Sequence, residues 1–178
     1  MPCRIGSRNG SSGVPITPFH FGAGAAFHAA APRRVSFLAF CAANCVIDCE
    51  TIYNFLLGRL PLHRFLHTFV GATLVALSMV LLFVALRAVA ARHELQNSFG
   101  WQQLKFSAVA LGAALGTHSH VFLDGIMHPD VRPFAPWSDN NPFFRLVTLQ
   151  VLHLGCLLAG AIGVAAIYLR QKFSRGTA

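Results

Sequence analysis

His118-Ser119-His120-Val121-Phe122-Leu123-Asp124-Gly125-Ile126-Met127-His128-Pro129-Asp130 closes an apolar run over residues 104–126, and it sets three histidines and two aspartates against a hydrophobic segment. In a helix, residues four apart share a face. His120 and Asp124 therefore lie on one stripe, with Thr117 before them and His128 after, while His118 points the other way. Two further clusters, Asp48-Cys49-Glu50 and His63-Arg64-Phe65-Leu66-His67, stand at the ends of other apolar runs. Ionisable groups at membrane depth cost several kcal/mol unless they pair, line a cavity or hold a metal. Their recurrence implies one shared polar site. Glu94 lies far from it, and Asp139 falls in the loop just beyond.

The composition sets the class. Of 178 residues, 54% are hydrophobic and 11% charged, which is too apolar for a soluble monomer and indicates an integral membrane protein in a lipid bilayer. Four long segments, about 35–57, 65–90, 104–126 and 146–169, approach the ~20 residues that cross the hydrocarbon. The expected fold is all-α, a polytopic membrane bundle of four long transmembrane helices plus a short N-terminal helix over 18–31, for which Thr17-Pro18 supplies a cap and first helical residue. Residues 1–14, rich in Gly, Ser and Arg, read as a disordered leader; 15–172 form one membrane domain, and 173–178 a cytoplasmic tail.

Fourteen Lys and Arg against six acids give a net charge of +8. No basic cluster interleaved with aromatics accompanies it, so nucleic acid is not an expected partner. The positives act instead as topology signals. Arg33, Arg34, Arg87, Arg92, Lys105, Arg170, Lys172 and Arg175 flank the spans on one side, against Arg59, Arg64, Arg132 and Arg145 on the other. The positive-inside rule puts residues 58–64 and 127–145 outside the cytoplasm and the C-terminus inside, as expected for a bacterial inner membrane. His20 joins the external clusters if the short helix starts on that side.

Five cysteines without a CxxC pair support neither a disulfide framework nor a zinc ribbon. Cys41, Cys45 and Cys49 recur every four residues and read as a helix-packing stripe. His153 reads as an interhelical hydrogen-bonding group, and Trp101 and Trp137 as interfacial aromatics.

His63 and His67, read as helical, place two imidazoles on one face, with Gly71 continuing that face to admit a neighbouring helix. The bland alternative is a pair of interfacial imidazoles bonded to backbone or headgroups. Together with His120, Asp124 and Asp48 at the same depth, a divalent metal site is the better reading. Imidazole with carboxylate suits zinc, manganese or iron. A catalytic zinc lowers the pKa of its water to ~7, so hydrolysis is the simplest reaction, on an ester or phosphoester, with a lipid among the candidate substrates. Glu50, His128 and Asp130 are candidates for general base or proton donor. Arg64 is a candidate for a forked contact with a substrate phosphate, or for a headgroup contact. The alternatives are a metal or proton transporter, a b-type haem protein, and an assembly factor that retains the ligands for stability. The loop 133–142 reads as a lid or as a capped turn into the last helix.

Thr17-Pro18-Phe19-His20, Asp48, His63-Arg64 with His67-Thr68, and Ser119-His120 followed by Asp124 resemble the YdjM-type family of inner-membrane metal-dependent hydrolases, over about residues 15–142. The resemblance implies metal ligands or site residues at His20, Asp48, His63, His67, His120 and Asp124. The same order of His, Asp, His and HxxxD is similar, more weakly, to secreted zinc phospholipases C and P1-type nucleases. The N-terminal metal-binding tryptophan of those enzymes has no counterpart here.

Overall fold

The computed structural model describes residues 19–175, all helix and loop with no strand among them. Five helices follow in order: α1 (His20–Ala30), α2 (Phe37–Leu56), α3 (Phe69–His93), α4 (Phe106–Met127) and α5 (Leu149–Arg175), with a 3-10 segment Ser98–Gln103 before α4. The leader, Cys3, the Thr17-Pro18 cap and residues 176–178 lie outside the described residues.

Two helix starts are written locally. Ser36 accepts from the Ala39 N–H at 3.2 Å and opens α2, and Thr68 accepts from the Gly71 N–H at 2.9 Å and opens α3. Each hydroxyl satisfies a donor that the first helical turn leaves unpaired. The second long helix thus begins at Phe69, not at 65. His63 and His67 stand in an irregular loop rather than on a helix face. Gly71 does not admit a neighbouring helix: a Cβ there would meet the Phe65 carbonyl oxygen of that same loop at 2.0 Å.

The centre of the bundle is a parallel pair, α2 with α4, in a register that advances one turn at a time. The Ser36 N–H donates to the Ala108 carbonyl at 2.9 Å, Gly112 rides on Ser36, Gly116 rides on Phe40, and Asn44 meets His120. A Cβ at Gly112 would lie 2.4 Å from Ser36 O, and one at Gly116 2.7 Å from Phe40 O. In lipid, where apolar burial gives no net drive between helices, such close backbone approach is what holds them. The same stripe then carries His120 and Asp124. Packing and chemistry share one face of α4.

α3 runs antiparallel to α4 and closes the core through Ala72, Val75 and Val121 with Ile47, and through Ala76 with Ala43 and Ala113. α1 turns back onto α2, with Gly24 under the Phe40 ring, and runs parallel to α5, where Gly22 abuts the Cys156 carbonyl and Gly163 abuts Ala25. The Arg170 guanidinium donates to the Ala29 carbonyl at the far end. The packing stripe of α2 is Phe40, Ala43, Asn44, Ile47, Asp48 and Thr51, whereas Cys45 and Cys49 are exposed. The cysteine stripe is therefore not the contact expected of it, because it lies on the neighbouring side of the helix.

Three helices, α3, α4 and α5, are long and apolar enough to cross a membrane. The 20-residue α2 is not among them, since Asn44, Asp48, Glu50, Thr51 and Asn54 interrupt its apolar run. α1, with 11 residues, reaches only about 16 Å at 1.5 Å per residue, half of a bilayer core. Leu74, Leu77, Leu81, Leu154, Leu157 and Ile162 leave the outer faces of α3 and α5 apolar and exposed. The helix directions bring the start of α1, the ends of α2 and α4, and loops 57–68 and 128–148 to one end of the bundle.

Candidate metal centre

His120 and Asp124 project from adjacent turns of α4 into this end, and α2 determines how His120 is presented. The Asn44 amide donates to the Phe40 carbonyl at 2.8 Å, which leaves its Oδ1 to accept from His120 Nδ1 at 2.9 Å. The proton is thereby placed on Nδ1. The Nε2 lone pair faces inward, 3.2 Å from Asp48 Oδ1 and 3.2 Å from Asp124 Oδ2.

The loop histidines are held by the same device with carboxylates. Glu50 accepts from the N–H groups of Arg64 (3.1 Å) and Leu66 (2.9 Å) and lies 3.4 Å from His67 Nδ1. Asp130 accepts from the N–H groups of Leu62 (3.1 Å) and His63 (3.2 Å) and lies 3.0 Å from His63 Nδ1. Asn54 donates to the Leu62 carbonyl at 2.9 Å. A carboxylate behind Nδ1 fixes ring and tautomer and raises the basicity of the other nitrogen. The two Nε2 atoms are accordingly turned inward. That of His67 lies 3.5 Å from Asp124 Oδ2 and 3.8 Å from Asp48 Oδ1, with the Thr51 hydroxyl at 3.3 Å. That of His63 lies 3.9 Å from Asp124 Oδ2.

His20, at the start of α1, places Nε2 3.2 Å from Asp124 Oδ1 and stacks its ring on His120 at 4.4 Å. His128, just past α4, stacks on His63 at 4.5 Å. All six residues expected as ligands thus meet at one place, and His128 stands beside them. Glu50 and Asp130 sit behind the imidazoles. Arg64 is directed elsewhere: it is exposed and donates to the carbonyls of Pro61 (3.2 Å) and Leu60 (3.0 Å), bracing its own loop. His118 Nδ1 donates to the Ala114 carbonyl at 2.9 Å and its Nε2 lies 3.3 Å from the Thr73 hydroxyl, away from the cluster, and His153 stacks on Phe19 at 4.3 Å, with no interhelical hydrogen bond of the kind expected among the described residues. In loop 133–142, Asn141 donates to the carbonyls of Gly125 (2.8 Å) and His128 (3.2 Å), and the Pro133 carbonyl accepts from Phe69 N–H at 2.8 Å. The loop is tied to both helices at the site's edge.

The inward atoms have an unusual status. His20 Nε2, His63 Nε2, His120 Nε2 and Asp124 Oδ2 are buried without a hydrogen-bond partner among the described residues, although they face one another. Leaving a single buried polar group unsatisfied costs about 1–3 kcal/mol, and a cation among several such atoms could satisfy them together. One ligand atom each from Asp48, His67, His120 and Asp124 lies within 4.8 Å of the others. Tetrahedral zinc with bonds of about 2.0–2.2 Å separates its ligand atoms by about 3.3–3.6 Å. Four of the six edges measure 3.2, 3.2, 3.5 and 3.8 Å. The donor set fits a divalent cation.

Ionisable groups of the surrounding loops depart from their ordinary values. Burial opposes a charged His67, yet the carboxylates of Asp124, Asp48 and Glu50 push its pKa up to about 10. Burial and the neighbouring His63 outweigh Asp124 and Asp130 at His128 and hold it below the usual imidazole value. Asp130 lies well below the carboxylate range: burial works against this, and the hydrogen bond from His63 overcomes it.

Asn44 and Thr51 were not singled out from the sequence. The available signal for Asn44 was its place one turn before Asp48 in an apolar run. No family model, curated protein or solved structure matches this chain.

Proposed function

We propose that this chain is a membrane-embedded metal-dependent hydrolase that cleaves an ester or phosphoester at the end of the bundle where the imidazoles converge. The observation that carries the reading is the set of short separations among buried ligand atoms of Asp48, His67, His120 and Asp124. Two imidazoles with two carboxylates favour zinc, and the ordered set of these residues is what resembles YdjM-type proteins. A divalent ion that takes water as a further ligand beside these four residues would supply a water of lowered pKa and polarise the substrate oxygen. The chain's own residues do the positioning: Asn44, Glu50 and Asp130 hold three imidazoles in the tautomer that leaves Nε2 free to ligate.

In this reading α2 is a fourth crossing and α1 a half-crossing that delivers His20. The bundle end bearing Arg33, Arg34, Arg92, Lys105, Arg170 and Lys172 faces the cytoplasm of a bacterial cell, with the C-terminus on that side. The site faces outward. Exposed Leu56, Leu57, Leu60, Phe65 and Trp137 ring that end, which suits a substrate that is itself part of a lipid. Transport is disfavoured because fully buried Phe40, Ala43 and Ala113 occupy the bundle interior between the cluster and the other end.

The test is elemental analysis of the detergent-purified, tag-free protein, followed by screening of lipid esters and phosphodiesters. Stoichiometric metal, lost together with hydrolysis in a His120→Gln, Asp124→Asn variant, is expected. Wild type that takes up no zinc or manganese would overturn the reading.

A further inference from the structure

One ion held by four ligands does not use all the donors at this end. After Asp48, His67, His120 and Asp124 are assigned, His63 keeps a buried Nε2 without a hydrogen-bond partner among the described residues, in a side chain only 2% exposed. Its Nδ1 is already committed to Asp130 at 3.0 Å, so the Nε2 lone pair faces Asp124 Oδ2 at 3.9 Å. Two acceptors facing each other across that distance in a buried site repel unless a cation lies between or beside them. His128 provides the third donor. Its backbone N–H donates to the Asp124 carbonyl at 2.8 Å, its own carbonyl accepts from Asn141 at 3.2 Å, and its ring lies 4.5 Å from that of His63, tilted by 28°. Ligand atoms of His63, Asp124 and His128 all lie within 4.8 Å of one another.

We propose that His63, Asp124 and His128 form a second divalent-cation position, and that the Asp124 carboxylate is shared between it and the first; this rests on the metal-site reading above. An ionised carboxylate offers about four lone-pair sites, enough to serve two ions. Three protein ligands at the half-buried His128 edge leave this position open to an incoming group. The pair narrows the substrate class to a phosphoester. In-line displacement at phosphorus builds charge on both the entering and the leaving oxygen, and two ions side by side stabilise both. In that reaction water loses a proton as its oxygen bonds to phosphorus. The phosphorus–oxygen bond to the alcohol breaks with its electron pair going to the alcohol oxygen, which takes up a proton.

The experiment is manganese titration of chelator-stripped, tag-free protein in detergent, read by bound-metal analysis and by electron paramagnetic resonance. Two equivalents per chain with an exchange-coupled signal are expected in wild type. His128→Ala, and separately His63→Gln, are expected to bind one equivalent with an isolated-ion signal. One equivalent in wild type, unchanged in both variants, would overturn the second position while leaving the first intact. No bound manganese in wild type would overturn both. The wild-type stoichiometry and coupling do not depend on whether either variant folds.

Discussion

The Asn44 side-chain carbonyl lies 2.9 Å from His120 Nδ1, across 76 positions of sequence and between two parallel helices. Removing a partner of this kind typically weakens metal binding about 10–100-fold, because the ring loses its tautomer and its aim. Asn44→Ala is expected to lie in that range for zinc in competition with a chromophoric chelator. Unchanged affinity would show that Asn44 only packs.

The carboxylates behind the loop histidines lead to a related expectation with a second readout. Glu50→Gln and Asp130→Asn each remove an anion that holds two backbone N–H groups as well as an imidazole. Metal affinity should fall roughly tenfold or more, and the 57–68 loop should become a site of limited proteolysis. Arg64→Ala, which loses only contacts to neighbouring carbonyls, should retain metal. If Arg64→Ala abolished metal binding instead, the assignment of roles in this loop would be wrong.

Helix contact makes Gly112 and Gly116 of α4 unequal to Gly155 of α5. Gly112→Ala and Gly116→Ala drive a Cβ to within 2.4 and 2.7 Å of α2 carbonyl oxygens, whereas nothing lies within 4 Å of Gly155. Overpacking of this sort costs about 1–3 kcal/mol. Either α4 substitution should lower thermal stability in detergent and weaken metal binding, since the same register carries His120 to Asn44. Gly155→Ala should be neutral in both assays.

Metal binding should release protons. With its pKa raised to about 10, His67 in the metal-free protein is protonated at pH 7–8, and a protonated imidazole cannot ligate. Binding at pH 7.5 is expected to expel roughly one proton from this group, seen as a calorimetric enthalpy that varies with the ionisation enthalpy of the buffer, and affinity should rise with pH. A buffer-independent enthalpy would contradict the charge assigned to His67.

Orientation is checked with single cysteines in a cysteine-free background. Asn140→Cys, at the site end, should react with a membrane-impermeant maleimide in cells whose outer membrane has been opened. Leu95→Cys, at the other end, should react only after lysis. The reverse pattern would put the metal centre on the cytoplasmic side.

What the sequence alone determined is what depends on near neighbours. Apolar runs of span length dictate helices, and the four-residue step from His120 to Asp124 dictates a shared face, because helix geometry is local. The excess of arginine and lysine at alternate loops is equally readable. The same four-residue step at His63 and His67 misled, since Pro61 and the Thr68 cap keep that segment out of helix and the loop is shaped instead by Glu50 and Asp130. Only the tertiary structure decided which polar groups point into the centre and which stand behind them. Glu50 and Asp48 are chemically alike and two residues apart, yet one faces loop N–H groups and the other faces imidazoles. That division is made by contacts between residues far apart in the chain, Asn44 with His120 and His63 with Asp130, which no local periodicity encodes.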